Sequence, residues 1–382
     1  MSSLFGTDGI RAPFGRPPLD RATLTALGVH LARRLASSGA RPHLLLGGDT
    51  RDSTPQLAAW LAGGLVAGGA EVRWAGVVPT PGVARLVPAV GAAAGVAVSA
   101  SHNPWPDNGI KLIASDGGKW RREEEDALAA ELENATVPAA DLGELTAEPA
   151  LAERYLDSLL ELLQPPQALT GLRLTLDCAN GAAAGLAARL FERAGAIVHT
   201  LGDRPDGRNI NQGCGSTAPQ ALTREVLATR SDLGIAFDGD ADRAVLVDER
   251  GGVHDGDAIL YLWARALAQR GELVPPRIVA TSMSNLGLEH ALAAAGVGVV
   301  RCEVGDRAVV DTLRREGLTL GGEQSGHIVH LGLGPTGDGL LTGLTAASIL
   351  RSSGSTLSQL LAGFHRYPQV LLNVSVRAKP EL

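Results

Sequence analysis

The sequence contains few cysteines and no long apolar stretch. Three cysteines, Cys178, Cys214 and Cys302, are spread over 382 residues, so neither a disulfide framework nor a cysteine zinc site is predicted. No apolar run reaches the roughly 20 residues that a membrane-spanning helix needs, and the N-terminal residues lack the apolar segment of a signal peptide. These features predict a cytoplasmic protein that has no membrane partner.

Acidic residues outnumber basic ones, and lysine is rare among the basic residues. The formal net charge is −7, whereas nucleic-acid binding requires a basic surface, so no nucleic-acid partner is expected. Only three of the 34 cationic side chains are lysines, Lys111, Lys119 and Lys379. Lys111 follows a polar turn in a chain that otherwise uses arginine, which suggests a chemical role. Lys119 and Lys379 are interpreted as ordinary surface residues.

Helical and strand patterns alternate along the whole chain. A helix end, a glycine turn and a short strand recur at 67–74, 193–200 and 294–301. Such alternation predicts an α/β fold. We expect three consecutive αβ modules with mixed, largely parallel sheets, followed by the first strand of a truncated fourth domain. The predicted boundaries are 1–148, 149–250, 251–366 and 367–382.

The first module contains the polar segment "SASHNPWPDNGIK" (99–111), which follows a strand-like run. Open α/β sheets bind ligands in loops at the carboxyl ends of their strands. Ser101 is a candidate nucleophile or phosphate carrier, His102 could orient it, and Lys111 could neutralise charge or transfer a proton. Taken alone, the motif is equally typical of a capping serine in a proline turn.

The second module contains three alternating carboxylates in "FDGDADR" (237–243). Asp238, Asp240 and Asp242 would share one face of an extended segment. Like charges so close together require a hard cation, and oxygen ligands suit Mg²⁺. An EF-hand is excluded because its sixth position, which must be glycine, is Arg243.

The third module contains "GEQSGH" (322–327), and the N-terminus contains "GTDGIR" (6–11). Glu323, Ser325 and His327 offer partners for sugar hydroxyls, although a polar edge strand explains them equally well. Arg11 has the planar charge that fits phosphate, although a surface arginine is the simpler interpretation. The Asp–Arg pairs in "GGDTRDS" and "VGDR" are interpreted as structural ion pairs.

In this order, "FGTDGIR", "SASHNP..DNGIK", "FDGDADR" and "GEQSGH" resemble the motifs of the four-domain phosphohexomutases, which move a phosphate between the 6- and 1-positions of a hexose. The resemblance runs from Leu4 to about Val376. The glutamine of "GEQSGH", with "LDCANGAA", "PDGRNIN" and "CGSTAPQAL", is similar to the branch that acts on glucosamine phosphates. The phosphomannomutase and phosphoglucomutase branches differ at these segments.

The resemblance implies a catalytic cycle with a phosphoserine. Ser101 would transfer a phosphate to glucosamine 6-phosphate, forming a 1,6-bisphosphate. It would then take the other phosphate back and release glucosamine 1-phosphate for the synthesis of UDP-N-acetylglucosamine. Lys111, His102 and Arg11 would assist these transfers. A primer such as glucose 1,6-bisphosphate would load the serine.

The resemblance also implies the binding roles. One Mg²⁺ ion would be held by the phosphoserine at Ser101 and the three aspartates of "FDGDADR". The hexosamine phosphate would be bound by Glu323, Ser325, His327 and Arg243. The enzyme would be a cytoplasmic monomer or homodimer.

Three features depart from the family pattern. Gly48 stands where the family usually has arginine, and "GIRAPFG" replaces the usual "GIRG". The phosphate-gripping "R-x-S-G-T-E-P" loop of a fourth domain is absent, since "RSSGSTLS" (351–358) is interpreted as a turn between helices of module three. We therefore expect weak sugar-phosphate binding and slow turnover from this chain alone.

Three alternative functions are left open by the sequence. The first is a phosphatase that uses "DGDAD" as an aspartyl nucleophile loop. The second is a non-catalytic protein that binds sugar phosphates. The third is a phosphomannomutase or phosphoglucomutase, which would have the same mechanism with a different sugar.

Overall fold

Three mixed β-sheets follow one another along the chain. They are seen in a computed structural model, which describes residues 4–6, 8–36, 41–132, 145–370 and 372. Within these ranges six of the eleven strand pairings are parallel. The predicted α/β fold with mixed sheets is therefore confirmed.

The first sheet has the strand order β1-β5-β4-β2-β3. The strand β5 is antiparallel to both of its neighbours, whereas β2 is parallel to both of its own. The elements are β1 (Ile10–Pro13), α1 (Arg21–Leu35), β2 (His43–Gly48), α2 (Thr54–Ala67), β3 (Glu71–Val77), α3 (Thr80–Ala89), β4 (Ala94–Val98), β5 (Asp107–Ala114) and α4 (Arg122–Leu132).

The second sheet repeats this arrangement with the order β10-β9-β8-β6-β7. The pairings of β9 are antiparallel and those of β6 are parallel. The elements are α5 (Pro149–Leu160), β6 (Arg173–Asp177), α6 (Ala187–Arg193), β7 (Ile197–Leu201), α7 (Gln220–Thr229), β8 (Leu233–Phe237), β9 (Ala244–Asp248) and β10 (Val253–His254).

The third sheet has four strands in the order β12-β11-β13-β14, of which only the β13–β14 pairing is antiparallel. Gly354 lies between its last two helices, which agrees with the turn predicted at 351–358. The elements are α8 (Gly256–Gln269), β11 (Arg277–Thr281), α9 (Leu286–Ala294), β12 (Gly298–Cys302), α10 (Asp306–Glu316), β13 (Leu320–Gly322), β14 (Ile328–His330), α11 (Gly339–Ser353) and α12 (Leu357–Leu360).

The recurring glycine turn has the same role in all three modules. Gly69, Gly195 and Gly296 have φ angles of 96°, 98° and 73°. L-residues rarely adopt such angles, and glycine commonly ends a helix in this way. In each module the glycine is followed by an edge strand of the sheet, β3, β7 or β12, which is parallel to its neighbour. The repeat seen in the sequence is therefore a repeated helix-to-strand connection.

The boundary predicted after residue 250 needs a correction. β10 pairs antiparallel with β9, and the His254 imidazole lies 2.8 Å from the Asp248 carboxylate. Val253 and His254 therefore belong to the second sheet, and residues 251–252 lie in the connection that leads to them from β9, because a tight hairpin keeps both of its strands in one sheet. The sequence pattern missed this two-residue strand because it is too short to show alternation.

The modules pack against one another through a shared core. One cluster of buried apolar side chains includes Leu45 of module one, Phe237 of module two and Leu344 of module three. The Tyr155 hydroxyl of α5 donates to the Asp338 carboxylate at the start of α11, 3.1 Å away. This packing holds the loops at the strand ends of different modules in fixed positions.

The C-terminal prediction can be followed only in part. Most of the strand predicted after residue 367 lies outside the described residues, as does Lys379. At the start of the predicted segment, the Asn285 side chain donates a hydrogen bond to the carbonyl oxygen of Tyr367 at 2.9 Å. In the part of the chain that the structure describes, no helix is both long and apolar enough to cross a bilayer.

Candidate active site

The three polar loops predicted from the sequence converge on one cavity. Ser101 follows β4, the carboxylates at 238–242 follow β8, and residues 323–327 connect β13 to β14. The cavity has a volume of about 650 Å³. Seven of the predicted site residues line it: Arg11, His102, Asp242, Arg243, Glu323, Ser325 and His327.

Ser101 is buried at the junction of modules one and two. Its φ angle is 51°, an unusual value for a residue other than glycine. The Ser101 Oγ atom donates to Asp238 Oδ2 at 2.5 Å. The His102 Nδ1 atom lies 3.5 Å from Ser101 Oγ. Burial and the charges of Arg243 and Arg11 lower the pKa of His102. A neutral imidazole that can accept a proton therefore lies beside the serine.

The backbone of residues 99–104, the serine loop, is held by hydrogen-bond donors from modules one and two. Arg51 donates to the carbonyl oxygens of Ser101 (3.0 Å) and Pro104 (2.6 Å), and Asn211 also donates to Ser101 O (2.9 Å). Arg51 is paired with Asp49 at 2.9 Å, and both side chains are inaccessible to solvent. The structural ion pair predicted for "GGDTRDS" is confirmed, and it also positions the loop.

The aspartate cluster forms as predicted. Asp238, Asp240 and Asp242 are buried, and each offers an oxygen within 4.8 Å of the others. Burial and the two neighbouring carboxylates raise the pKa of Asp238 well above its usual range. Oδ1 of Asp240 and Oδ1 of Asp242 are buried without a hydrogen-bond partner. Such oxygen atoms fit a hard divalent cation such as Mg²⁺.

Lys111 lies against this cluster. Its Nζ atom is 2.8 Å from Asp240 Oδ2, 3.6 Å from Asp242 Oδ2 and 3.1 Å from Asp8 Oδ2. Burial alone would lower the pKa of Lys111, but Asp240, Asp8 and Asp242 outweigh it and raise that pKa well above its usual value. In this arrangement Lys111 is an ammonium ion that neutralises charge.

Arg11 connects the N-terminal motif to the serine loop. Its Nη1 atom donates to Ala100 O at 2.9 Å and to Asn103 Oδ1 at 3.2 Å, and its Nη2 atom donates to Asp8 Oδ2 at 2.5 Å. The simple surface interpretation of Arg11 is therefore wrong. One edge of its guanidinium group is held by the protein while the side chain borders the cavity.

The third loop contributes from the opposite side of the cavity. Glu323 Oε1 accepts a hydrogen bond from Gly305 N at 3.0 Å, which fixes the orientation of its carboxylate. Ser325 is exposed to the cavity. The Arg243 Nε atom is buried without a hydrogen-bond partner and lies 3.6 Å from Asp242 Oδ1. These groups suit an anionic ligand that carries hydroxyl groups.

The geometry changes the role expected for His327. Its Nδ1 atom lies 3.7 Å from Asp242 Oδ2, and its Nε2 atom accepts from Gly337 N at 3.3 Å. Both ring nitrogens thus face protein groups. The structure favours a role in orienting Asp242 over the predicted role beside the sugar hydroxyls. The sequence pattern could not show this, because Gly337 lies outside the motif.

Comparison with known proteins covers nearly the whole chain. The models of phosphoglucomutase/phosphomannomutase alpha/beta/alpha domains I, II and III match residues 2–138, 153–252 and 255–367. The chain is 46% identical to phosphoglucosamine mutase of Solibacter usitatus, over 99% of this chain and 85% of the relative. It is 47% identical to phosphoglucosamine mutase of Frankia casuarinae, over 98% of this chain and 84% of the relative.

A solved structure shows the same fold. The phosphoglucomutase/phosphomannomutase family protein of Burkholderia thailandensis has 27% identity and a TM-score of 0.80, covering 95% of this chain and 80% of its own. The chain belongs to the alpha-D-phosphohexomutase family. It is an intramolecular phosphotransferase of the isomerase class, as its four motifs predicted.

Sequence reasoning missed several residues of this phosphohexomutase site. Lys119 is not an ordinary surface residue, because its Nζ atom lies 2.5 Å from Asp8 Oδ1 and it also pairs with Asp306. Asp8 was present in the quoted "GTDGIR" motif but was not singled out. Asn211 lies in "PDGRNIN", which had served only to identify the branch. None of these contacts is visible from local spacing.

Proposed function

We propose that this phosphohexomutase interconverts glucosamine 6-phosphate and glucosamine 1-phosphate through a phosphoserine at Ser101. The observation that carries the proposal is the 2.5 Å hydrogen bond between Ser101 Oγ and Asp238 Oδ2, next to His102 and Asp242, which line a cavity with arginine, carboxylate and hydroxyl side chains. The choice of glucosamine is supported by the names of the relatives, which are 46% and 47% identical.

The forward reaction would consist of two transfers. In the first, the bond between phosphorus and Ser101 Oγ breaks, a bond to the sugar O1 forms, and the O1 proton leaves while Oγ is protonated. In the second, after the bisphosphate has turned over, the bond between phosphorus and the sugar O6 breaks and a bond to Ser101 Oγ forms. The Oγ proton leaves while O6 is protonated. Phosphoryl transfer depends mainly on positioning and charge neutralisation. His102, 3.5 Å from Ser101 Oγ, is a nearby group that could exchange these protons.

The charged groups would neutralise the phosphoryl group during transfer. Asp238, Asp240 and Asp242, with an oxygen of the phosphorylated Ser101, would hold one Mg²⁺ ion, and this cation supplies positive charge to the transferring group. Lys111 would compensate the excess carboxylate charge from its position 2.8 Å from Asp240. Arg11 and Arg243 border the cavity and would contact phosphate oxygens.

The sugar would be held from module three. Glu323, which Gly305 N keeps in place, and Ser325 would bind hydroxyl groups that occupy equivalent positions in both orientations of the bisphosphate. A primer such as glucose 1,6-bisphosphate would load Ser101 at the start. The cytoplasmic location and the monomeric or dimeric state stay predictions.

The test is direct turnover by the purified chain. We expect ³¹P NMR to show glucosamine 1-phosphate forming from glucosamine 6-phosphate when Mg²⁺ and glucose 1,6-bisphosphate are present, and faster than the corresponding glucose or mannose reaction. Ser101→Ala should abolish it. Preference for mannose or glucose phosphates would contradict the substrate assignment.

The same experiment separates the mutase from the phosphatase alternative. A phosphatase that used an aspartyl nucleophile would release inorganic phosphate and would survive Ser101→Ala. The structure provides no support for that alternative, since Asp238 follows β8, the third strand of its module, and accepts the Ser101 hydrogen bond. Complete absence of turnover together with a Ser101 that cannot be phosphorylated would instead favour a non-catalytic sugar-phosphate-binding protein.

A further inference from the structure

Lys119 forms an ion bridge between modules one and three. Its Nζ atom lies 2.5 Å from Asp8 Oδ1 in the N-terminal motif and also pairs with Asp306 Oδ2 at the start of α10. Both carboxylates border the cavity described above. Lys119 does not reach the reacting atoms itself, so any effect on the reaction would act through these two partners.

The backbone around Lys119 is held in place by close packing. The preceding turn is closed by a hydrogen bond from Ala114 N to Gly118 O at 2.7 Å. A Cβ atom on Gly117, whose φ angle is 83°, would lie 2.4 Å from Ala84 O and 2.9 Å from the Pro335 ring. The turn is thus wedged between α3 and a loop of module three. The backbone that carries Lys119 is therefore fixed by this packing.

One arm of the bridge leads to the phosphoryl-transfer groups. Asp8 Oδ2 accepts from Arg11 Nη2 at 2.5 Å and lies 3.1 Å from Lys111 Nζ. Arg11 then donates to Ala100 O of the serine loop. Because Lys119 occupies the other oxygen, Oδ1, the Asp8 carboxylate is held between three cations in one orientation.

The other arm leads to residues 323–327 of module three, the sugar loop. Asp306 directly follows Gly305, whose backbone N–H donates to Glu323 Oε1 at 3.0 Å. A shift of the start of α10 would therefore move this donor and release the Glu323 carboxylate. The bridge at Lys119 joins the groups that would bind the sugar to the groups that would transfer the phosphate.

Lys119 is the cation shared by the two carboxylates at this junction, which the Arg307–Glu125 ion pair also spans. Without the charge at 119, Asp8 would keep Arg11 and Lys111, but the Asp306 carboxylate would lose its ion pair with Lys119 and would face the Asp8 carboxylate across the boundary between the modules. Arg11 and Lys111 both lie on the Asp8 side. A neutral side chain at 119 should therefore separate the two modules at this point.

We propose that Lys119 is a positioning residue, which keeps the sugar loop of module three and the serine loop of module one at the separation that phosphoryl transfer requires. The kinetic part of this inference rests on the proposed mutase function. A misplacement of about 1 Å can lower a rate about 100-fold. We therefore expect Lys119→Met to lower kcat by about 10- to 100-fold while KM changes much less.

The matched variants separate this role from general destabilisation. Arg121 lies two residues from Lys119, and its side chain is 77% exposed. Arg121→Met removes a positive charge there and should leave kcat unchanged. Lys119→Arg keeps the charge and should retain most of the activity. Asp306→Asn in the Lys119→Met background should restore part of the lost kcat, because it removes the negative charge that Lys119 had paired and its repulsion with Asp8.

Hydrogen–deuterium exchange gives a readout that does not depend on activity. In Lys119→Met, peptides containing Gly305 and the serine loop at 99–104 should exchange faster, whereas Arg121→Met and Lys119→Arg should match the unaltered chain. If the unaltered chain fails to convert glucosamine 6-phosphate, the proposed function fails, and exchange still decides the role of Lys119. Unchanged exchange, or a Lys119→Met kcat equal to that of Arg121→Met, would overturn the inference.

Discussion

Replacing Arg51 by methionine tests how the serine loop is held. Arg51 and Asp49 form an ion pair at 2.9 Å, and neither side chain is accessible to solvent. Methionine would fill much of the space of the arginine stem but would remove the positive charge. Asp49 would still accept hydrogen bonds from Ser99 at 2.6 Å and Thr54 at 2.9 Å, but its charge would be buried without compensation.

The magnitude of the effect can be worked out from these contacts. Breaking one side of a buried ion pair costs about 3 to 5 kcal/mol. The carbonyl oxygens of Ser101 and Pro104 would keep Asn211 and the Asp107 amide as second donors, so the lost hydrogen bonds add only about 1 to 2 kcal/mol. The sum is a large fraction of the roughly 5 to 15 kcal/mol that stabilises a typical domain.

The double variant isolates the contribution of the buried charge. Asp49→Asn in the Arg51→Met background removes the uncompensated carboxylate, and we expect it to restore about 2 to 3 kcal/mol of the lost free energy of unfolding. Urea unfolding followed by circular dichroism measures the unaltered chain and both variants. A loss below about 1 kcal/mol in Arg51→Met, or a double variant no more stable than the single one, would refute the reasoning.

Three further predictions concern the loop, the junction and the metal site. Gly239→Ala would place a Cβ atom 2.4 Å from Ser101 O, so turnover should fall at least about tenfold while the thermal midpoint falls only slightly; unchanged turnover would contradict the contact. Burial raises the pKa of Asp8, but Lys111 and Lys119 outweigh it and hold that pKa well below its usual range. The stabilisation is therefore complete above about pH 4 and is lost as the pH falls through the lower folded-state pKa. The thermal midpoint of the chain should exceed that of Asp8→Asn at neutral pH, and this difference should vanish in acid. Mg²⁺ should raise the thermal midpoint by several degrees, and Asp242→Asn should abolish most of that shift; an equal shift in both proteins would place the ion elsewhere.

The aspartate cluster could be predicted because its geometry is local. Asp238, Asp240 and Asp242 alternate along a segment that directly follows a strand, so their convergence depends only on backbone geometry. Ser101 was predicted for the same reason, as part of a polar loop at a strand end. Their meeting at 2.5 Å also depended on the packing of module one against module two.

The errors concern residues whose partners are distant in sequence. Lys119 resembles a surface lysine in its own segment, yet it lies between Asp8 and Asp306. Arg51 was assigned only an ion pair with Asp49, since its contacts with the serine loop require β2 and β4 to be neighbours. His327 belongs to a motif with sugar-binding character, but Gly337 and Asp242 occupy both of its nitrogens.

The sequence by itself determined the α/β class, the repeated helix–glycine–strand connection and the three loops that carry the chemistry. Each of these follows from spacing along a few residues of backbone. The tertiary structure decided which charges compensate one another: Lys111 lies between Asp8 and Asp240, and Lys119 lies between Asp8 and Asp306. Charge compensation depends on distances of a few ångströms between segments far apart in the chain, and only the packing of the three modules sets those distances.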